Sequence, residues 1–71
     1  MIKNEVLSIK YYLTRMVSKI LKVYRQNEPT FAAKLIGFEI GPDDTKLIFV
    51  NSMGKTSVHN LSDITALYEV V

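Results

Sequence analysis

Seventy-one residues, nine Lys and Arg against seven Asp and Glu, and no cysteine or tryptophan set the limits. A chain this short makes one domain, in which ordering at ~1.5 kcal/mol per residue nearly cancels apolar burial at ~25 cal/mol per Å². Without cysteine, neither a disulfide nor a thiolate zinc site can reinforce it, so very good packing or a partner subunit must.

The apolar fraction of 48% and charged fraction of 23% are those of an ordinary soluble domain and exclude a disordered one. The start of the chain is interrupted by Lys3, Glu5, Lys10, Arg15 and Lys19, which leaves no apolar core for a secretory signal. The longest aliphatic-aromatic run, Leu47-Ile48-Phe49-Val50, is far shorter than the ~20 residues of a membrane span. A cytoplasmic protein is expected.

In chain order, the first element predicted is a helix over about residues 3–26. Ile2, Val6, Ile9, Leu13, Met16 and Ile20 recur every three or four residues, an a/d heptad row, and neither Gly nor Pro interrupts it. Tyr12, Val17, Leu21, Val23 and Tyr24 widen that row into a broad apolar face. Pro29 disfavours helical geometry at Glu28 and so ends the segment. Strands are predicted over about 31–40, 45–51, 56–61 and 64–71. They are separated by turns at Gly41-Pro42-Asp43-Asp44 and Ser52-Met53-Gly54-Lys55 and a bend at Ser62-Asp63. Gly54 is the position expected to take positive φ. The fold class predicted is α+β, one long N-terminal amphipathic helix followed by a three- to four-stranded antiparallel meander, in a single domain over 1–71.

Such a helix is about 36 Å long, whereas a seven-residue strand spans about 23 Å. Part of the apolar row then stays uncovered unless a second helix meets it or the helix crosses the sheet diagonally. The expectation is a homodimer or higher oligomer through Val6, Ile9, Leu13, Met16 and Ile20, with intramolecular core as the alternative.

Charge is unevenly divided. Residues 1–25 hold six basic side chains against Glu5 alone, whereas residues 26–71 hold three against six acids. On a helical wheel Arg15, Lys19, Lys22 and Arg25 gather opposite the heptad row, a stripe suited to phosphates, an acidic protein surface or an anionic membrane. A solvated face that keeps the protein soluble is the plainer alternative.

Catalytic constellations are absent from the sequence. One histidine, His59, cannot build a paired-histidine metal site, no cysteine supplies a thiol, and Gly37, Gly41 and Gly54 are too dispersed for a phosphate loop. Asp43-Asp44 reads as a solvated turn, and His59 as an exposed residue at a strand end. The phenylalanines sit in apolar runs and are expected in the core. No enzyme activity, cofactor or small-molecule substrate is expected.

A helix followed by short, strongly bent strands, with Val58-His59-Asn60-Leu61-Ser62 late in the chain, resembles Sm-like RNA-binding proteins of the bacterial host-factor type. Those carry a Lys-His pair before a small-apolar-Ser step, on the strand lining an oligomeric pore. Val58 stands where that family has lysine, and its earlier Asn-Gly turn is missing. The likeness covers at most the last ~37 residues and implies RNA binding by an oligomer.

Three functions are therefore expected in turn. The first is a small non-enzymatic protein-interaction factor, an adaptor or inhibitor of larger machinery, acting as a homo-oligomer. The second is a nucleic-acid-binding regulator using Arg15, Lys19, Lys22 and Arg25. The third is a structural subunit of an assembly.

Overall fold

The computed structural model describes the backbone of residues 2–70 and the side chains of residues 8–70. Its helix, α1, covers Ile2–Met16 and stops ten residues before the predicted end. The last helical bond runs from Val17 N–H to Leu13 O at 3.1 Å, and Ser18 then takes φ 77°, the left-handed conformation that ends helices. Ser18 N–H is captured by Leu35 O at 2.7 Å, and Leu35 N–H returns to Lys19 O at 3.1 Å. The turn is thus sewn onto the sheet rather than left to continue the helix.

The next element is a strand, β1 (Ile20–Arg25), where the sequence predicted helix. Its burial alternates: Leu21 and Val23 are wholly buried, while Ile20 and Lys22 face solvent. Ile-Leu-Lys-Val-Tyr satisfies period two as well as it satisfies a helical face, and β-branched Ile20 and Val23 suit a pleated strand. Sheet pairing on both sides of β1 decides between them.

The remaining strands are β2 (Glu28–Ile40), β3 (Thr45–Val50), β4 (Thr56–Asn60) and β5 (Ile64–Glu69), with a 3₁₀ turn over Leu61–Asp63 before β5. They form one antiparallel sheet in the order β4-β3-β2-β1-β5. The predicted helix-then-meander class is present, with five strands where three or four were expected. β2 starts three residues earlier than predicted, because Asn27 adopts φ 62° and turns β1 directly into it. Gly54 takes φ 81°, as its turn requires.

β2 is long enough to serve two neighbours. Its first half pairs with β1 (Leu21 opposite Ala33, Val23 opposite Phe31), and its second half pairs with β3. The halves overlap at Lys34, and a bulge between Leu35 and Gly37 follows inside the β2–β3 ladder, where bulges bend and twist a strand. The sheet wraps round one core of Leu13, Leu21, Val23, Ala33, Leu35, Leu47 and Phe49, with Ile9, Met16, Val17, Phe38, Leu61 and Leu67 packed on it.

Of the heptad row, Leu13 lies in that core and Ile9 and Met16 pack against it, whereas Ile20 is outside on β1. The side chains of Ile2 and Val6 lie outside the described residues. The row is therefore not one helical seam. The Gly41–Asp44 turn is closed by Asp44: its carboxylate accepts from Thr45 N–H at 2.8 Å and from the Ser62 hydroxyl at 2.5 Å. Those bonds, the Ser62 hydroxyl foremost, hold the Asp44 pKa below the usual carboxylate value.

Two positions of the former row should separate sharply on mutation. Leu13, 1% exposed, should cost about 2–5 kcal/mol on change to Ala, as a core cavity does. Ile20, 49% exposed, should cost about 0.5 kcal/mol or less on the same change. Urea melts of Leu13→Ala and Ile20→Ala check this; equal losses would restore a continuous helix through Ile20.

Candidate nucleic-acid interface

The four basic residues of the predicted stripe do not share one element, because α1 ends before three of them. Arg15 is on the last turn of the helix, with its guanidinium 5.7 Å from the Tyr11 ring centroid. Lys19 is in the connector, where its ammonium meets the Glu69 carboxylate at 3.3 Å. Lys22 is on the outward face of β1, its ammonium 5.6 Å from the Tyr24 ring. Arg25 lies beyond a bulge and turns instead toward Phe31, 5.0 Å from that ring. The expected stripe is replaced by separate basic points on different faces.

Arg25 is the most constrained of the four. Its Nη2 donates to Pro29 O at 2.9 Å, and its Nη1 lies 3.8 Å from the Glu28 carboxylate. Its Nε is buried without a hydrogen-bond partner among the described residues. The guanidinium is a fixed cation at the β1–β2 turn, not a mobile surface charge.

His59 comes close to it across the fold. β4 pairs His59 opposite Leu47, and the same inward face carries Phe49 opposite Ser57. The imidazole therefore leans inward, 4.9 Å from the Phe31 centroid and 5.9 Å from that of Phe49, and Nε2 lies 3.1 Å from Ser57 Oγ. Phe31 and Phe49 meet edge to face at 5.6 Å. The exposed strand-end histidine expected from sequence is instead half-buried in an aromatic cluster. Burial chiefly, and the Arg25 charge after it, lower its pKa, with Asp63 opposing. The shift favours the neutral ring.

A cavity of about 480 Å³ opens here, lined by Arg25, Asn27, His59, Ser62, Asp63 and Thr65 among others. It brings together one of the predicted binding residues, Arg25, with the histidine. Arg15, Lys19 and Lys22 are not in its lining. Donors, acceptors and both signs of charge line it, which suits a polar ligand group better than an aliphatic one. Among the described residues no three His, Asp or Glu side chains are grouped to hold a metal ion, and no helix is long and apolar enough to cross a membrane.

A second surface was not legible in the sequence. On the outward side of β1, Lys22 stands opposite Tyr68 of β5, and Tyr24 opposite Ala66. The Tyr24 and Tyr68 rings pack edge to face at 5.5 Å. Reading residues 20–25 as helix hid this pairing, since only a strand at β1 brings Tyr24 and Tyr68 together. No family model, curated protein or solved structure matches the chain.

The His59 environment carries a pH signature. Its folded-state pKa lies below the ordinary 6.5, so the unfolded chain takes up the proton first as pH falls. The stability this neutral ring contributes is complete above about pH 6.5 and is lost as pH falls through that value toward the lowered folded pKa. Wild type should therefore lose stability between pH 7 and 5, and His59→Gln should flatten that interval. Denaturant midpoints at pH 7, 6 and 5 check it; parallel curves for the two proteins would exclude His59 as the source.

Proposed function

We propose that the chain is a non-enzymatic RNA-binding module that works as a homo-oligomer, of the Sm-like kind its late residues resemble. The observation that carries this reading is the place of His59: the end of the edge strand β4, half-buried on Phe31, beside a polar cavity that also holds Arg25. The resemblance implies a histidine on a strand that lines an oligomeric pore, before a small-apolar-Ser step; here His59 is followed by the 3₁₀ turn that holds Ser62. Val58 removes the lysine of that pair, and Arg25, which lines the same cavity as His59, is the cation that supports the same role.

Sheet order supports the oligomer. β4 and β5 are the two ends of β4-β3-β2-β1-β5, so each presents one unpaired row of backbone groups. Pairing β4 of one copy with β5 of the next is head-to-tail, and such contacts close into a ring when the rotation permits. Because Leu13 belongs to the monomer core, an oligomer of this kind uses sheet edges rather than the heptad row.

The reading as a protein-interaction factor keeps one support, the exposed apolar side chains Ile36 and Val58 beside half-buried Ile48. Native mass spectrometry and fluorescence anisotropy with a short unstructured RNA divide the two. The RNA-binding oligomer predicts a complex of several 8.1 kDa chains with affinity that falls log-linearly with salt. A monomer at tens of micromolar with no RNA affinity at physiological salt, retaining a protein partner after nuclease treatment, would instead favour the interaction factor.

A further inference from the structure

The outward side of the β2–β3–β4 ladders carries an aliphatic patch. Val58 stands opposite Ile48 and Ile48 opposite Gly37, while Val50, two residues along β3, stands opposite Thr56 and Lys34. Ile36 is the extra residue of the bulge at this point, because Leu35 pairs with Phe49 and Gly37 with Ile48. Val58 is 58% exposed and Ile36 44%. Neither they nor half-buried Ile48 and Val50 are among the side chains packed on the core. Single exposed aliphatic residues are ordinary, but four on neighbouring rungs form a contiguous patch of the kind that marks an interaction site.

Gly37 sits within this patch without a local reason to be glycine. Its φ is not positive, unlike that of Gly54. A Cβ built on it would stand 3.9 Å from Ile48 Cδ1, an ordinary contact, so packing within the chain does not exclude a side chain there. Glycine weakens a strand interior, and where neither a turn nor crowding requires it, it suits a place where another backbone comes close. The patch also has a charged rim. Lys34 and Lys46 are exposed on its two sides, four residues or about 13 Å apart as measured along β3 from Val50 to Lys46. Among the described residues neither makes an ion pair, and the one acid on these rungs is Glu39, opposite Lys46. Beside Lys34 the face continues into a cavity of about 410 Å³ lined by Ile20, Ala32, Lys34 and Val50 among others.

We propose that this face docks an acidic amphipathic helix of another protein, whose aliphatic side chains cover Ile36, Ile48 and Val58 while its carboxylates meet Lys34 and Lys46. Chemistry selects that occupant. No aromatic ring stands on these rungs, so a nucleic-acid base has nothing to stack on. A second copy of the chain would set one lysine rim against another, and like charges across an interface repel. An apolar centre with a polar rim is the anatomy of a protein interface, and two lysines without partners select acids. About 13 Å is the rise of two to three helical turns, so two glutamates on one side of a helix reach both lysines. The absent side chain of Gly37 lets that helix lie close. Docking of this kind holds whether or not the chain binds RNA.

The test uses the full chain and a fluorescein-labelled peptide of about five helical turns, with leucines along one face and glutamates on both flanks, read by anisotropy. Wild type should bind it at least about tenfold more tightly than the same peptide with lysines in place of the glutamates. Lys34→Glu combined with Lys46→Glu should reverse that preference, with the melting temperature within a few degrees because both positions are exposed. Gly37→Leu, which fills the dip, should weaken the acidic peptide about tenfold or more while leaving its salt dependence unchanged. If Gly37→Leu does not melt cooperatively, Val58→Ser on the exposed side of β4 takes its place, with the same loss expected. Wild type that binds neither peptide, or both alike, overturns the proposal, as does an unchanged preference in the double lysine variant. Displacement of the peptide by an unstructured RNA whose own affinity falls in Gly37→Leu would overturn it too and assign the face to nucleic acid. Binding to phosphatidylglycerol vesicles that is lost in the same variants, with the peptide unbound, would assign it to a membrane surface instead.

Discussion

Everything in this molecule depends on β2 belonging to two strand pairs at once. Thirteen residues give it the length to lie against β1 and then β3, and the bulge between Leu35 and Gly37 turns one pair across the other. That bend lets fewer than ten buried side chains among the described residues close a core, with Phe49, Leu47, Leu21 and Val23 contributed from both pairs. A flat sheet of the same five strands would present two open faces, and one short helix could not cover either.

The helix is best understood as the closure of that bend. Leu13 enters the core and Ile9, Met16 and Val17 pack round it, while the opposite side, with Tyr11 and Tyr12, stays in solvent. The connector is short and hydrogen-bonded to Leu35 and Met16, so the helix is held at a set angle rather than tethered. The candidate side chains then fall on opposite sides of one thin layer. Arg25 and His59 converge on the inward rim through Phe31, and Lys22, Tyr24 and Tyr68 lie on the outward face.

Much of this was legible where local chemistry is decisive. Gly54 and Pro42 marked their turns. The failure at residues 17–26 has a specific cause. Neither Gly nor Pro marks the end of α1, since Ser18 takes the left-handed conformation that usually falls to glycine. Residues 20–24 then fit both periods, and only their partners on β2 and β5, distant in sequence, select the strand. The site was lost with the element: a helix through Arg25 aligns four cations, whereas a strand separates Lys22 from Arg25. His59 is half-buried rather than exposed for a related reason: its aromatic neighbours, Phe31 and Phe49, come from β2 and β3.

The ladders also differ in how far apart in the chain their members lie. β1–β2, β2–β3 and β3–β4 are hairpin neighbours, but β1 meets β5 far along the chain, from Arg25 opposite Ile64 to Leu21 opposite Glu69. Local pairs form at small entropic cost, while that closure must await the rest of the sheet. Where β1 to β4 pair before β5 does, β1 is a bare edge that β5 then converts into an interior strand. Until it does, the chain offers a self-complementary surface to other copies of itself, so crowding during synthesis is the moment of greatest hazard for misassembly.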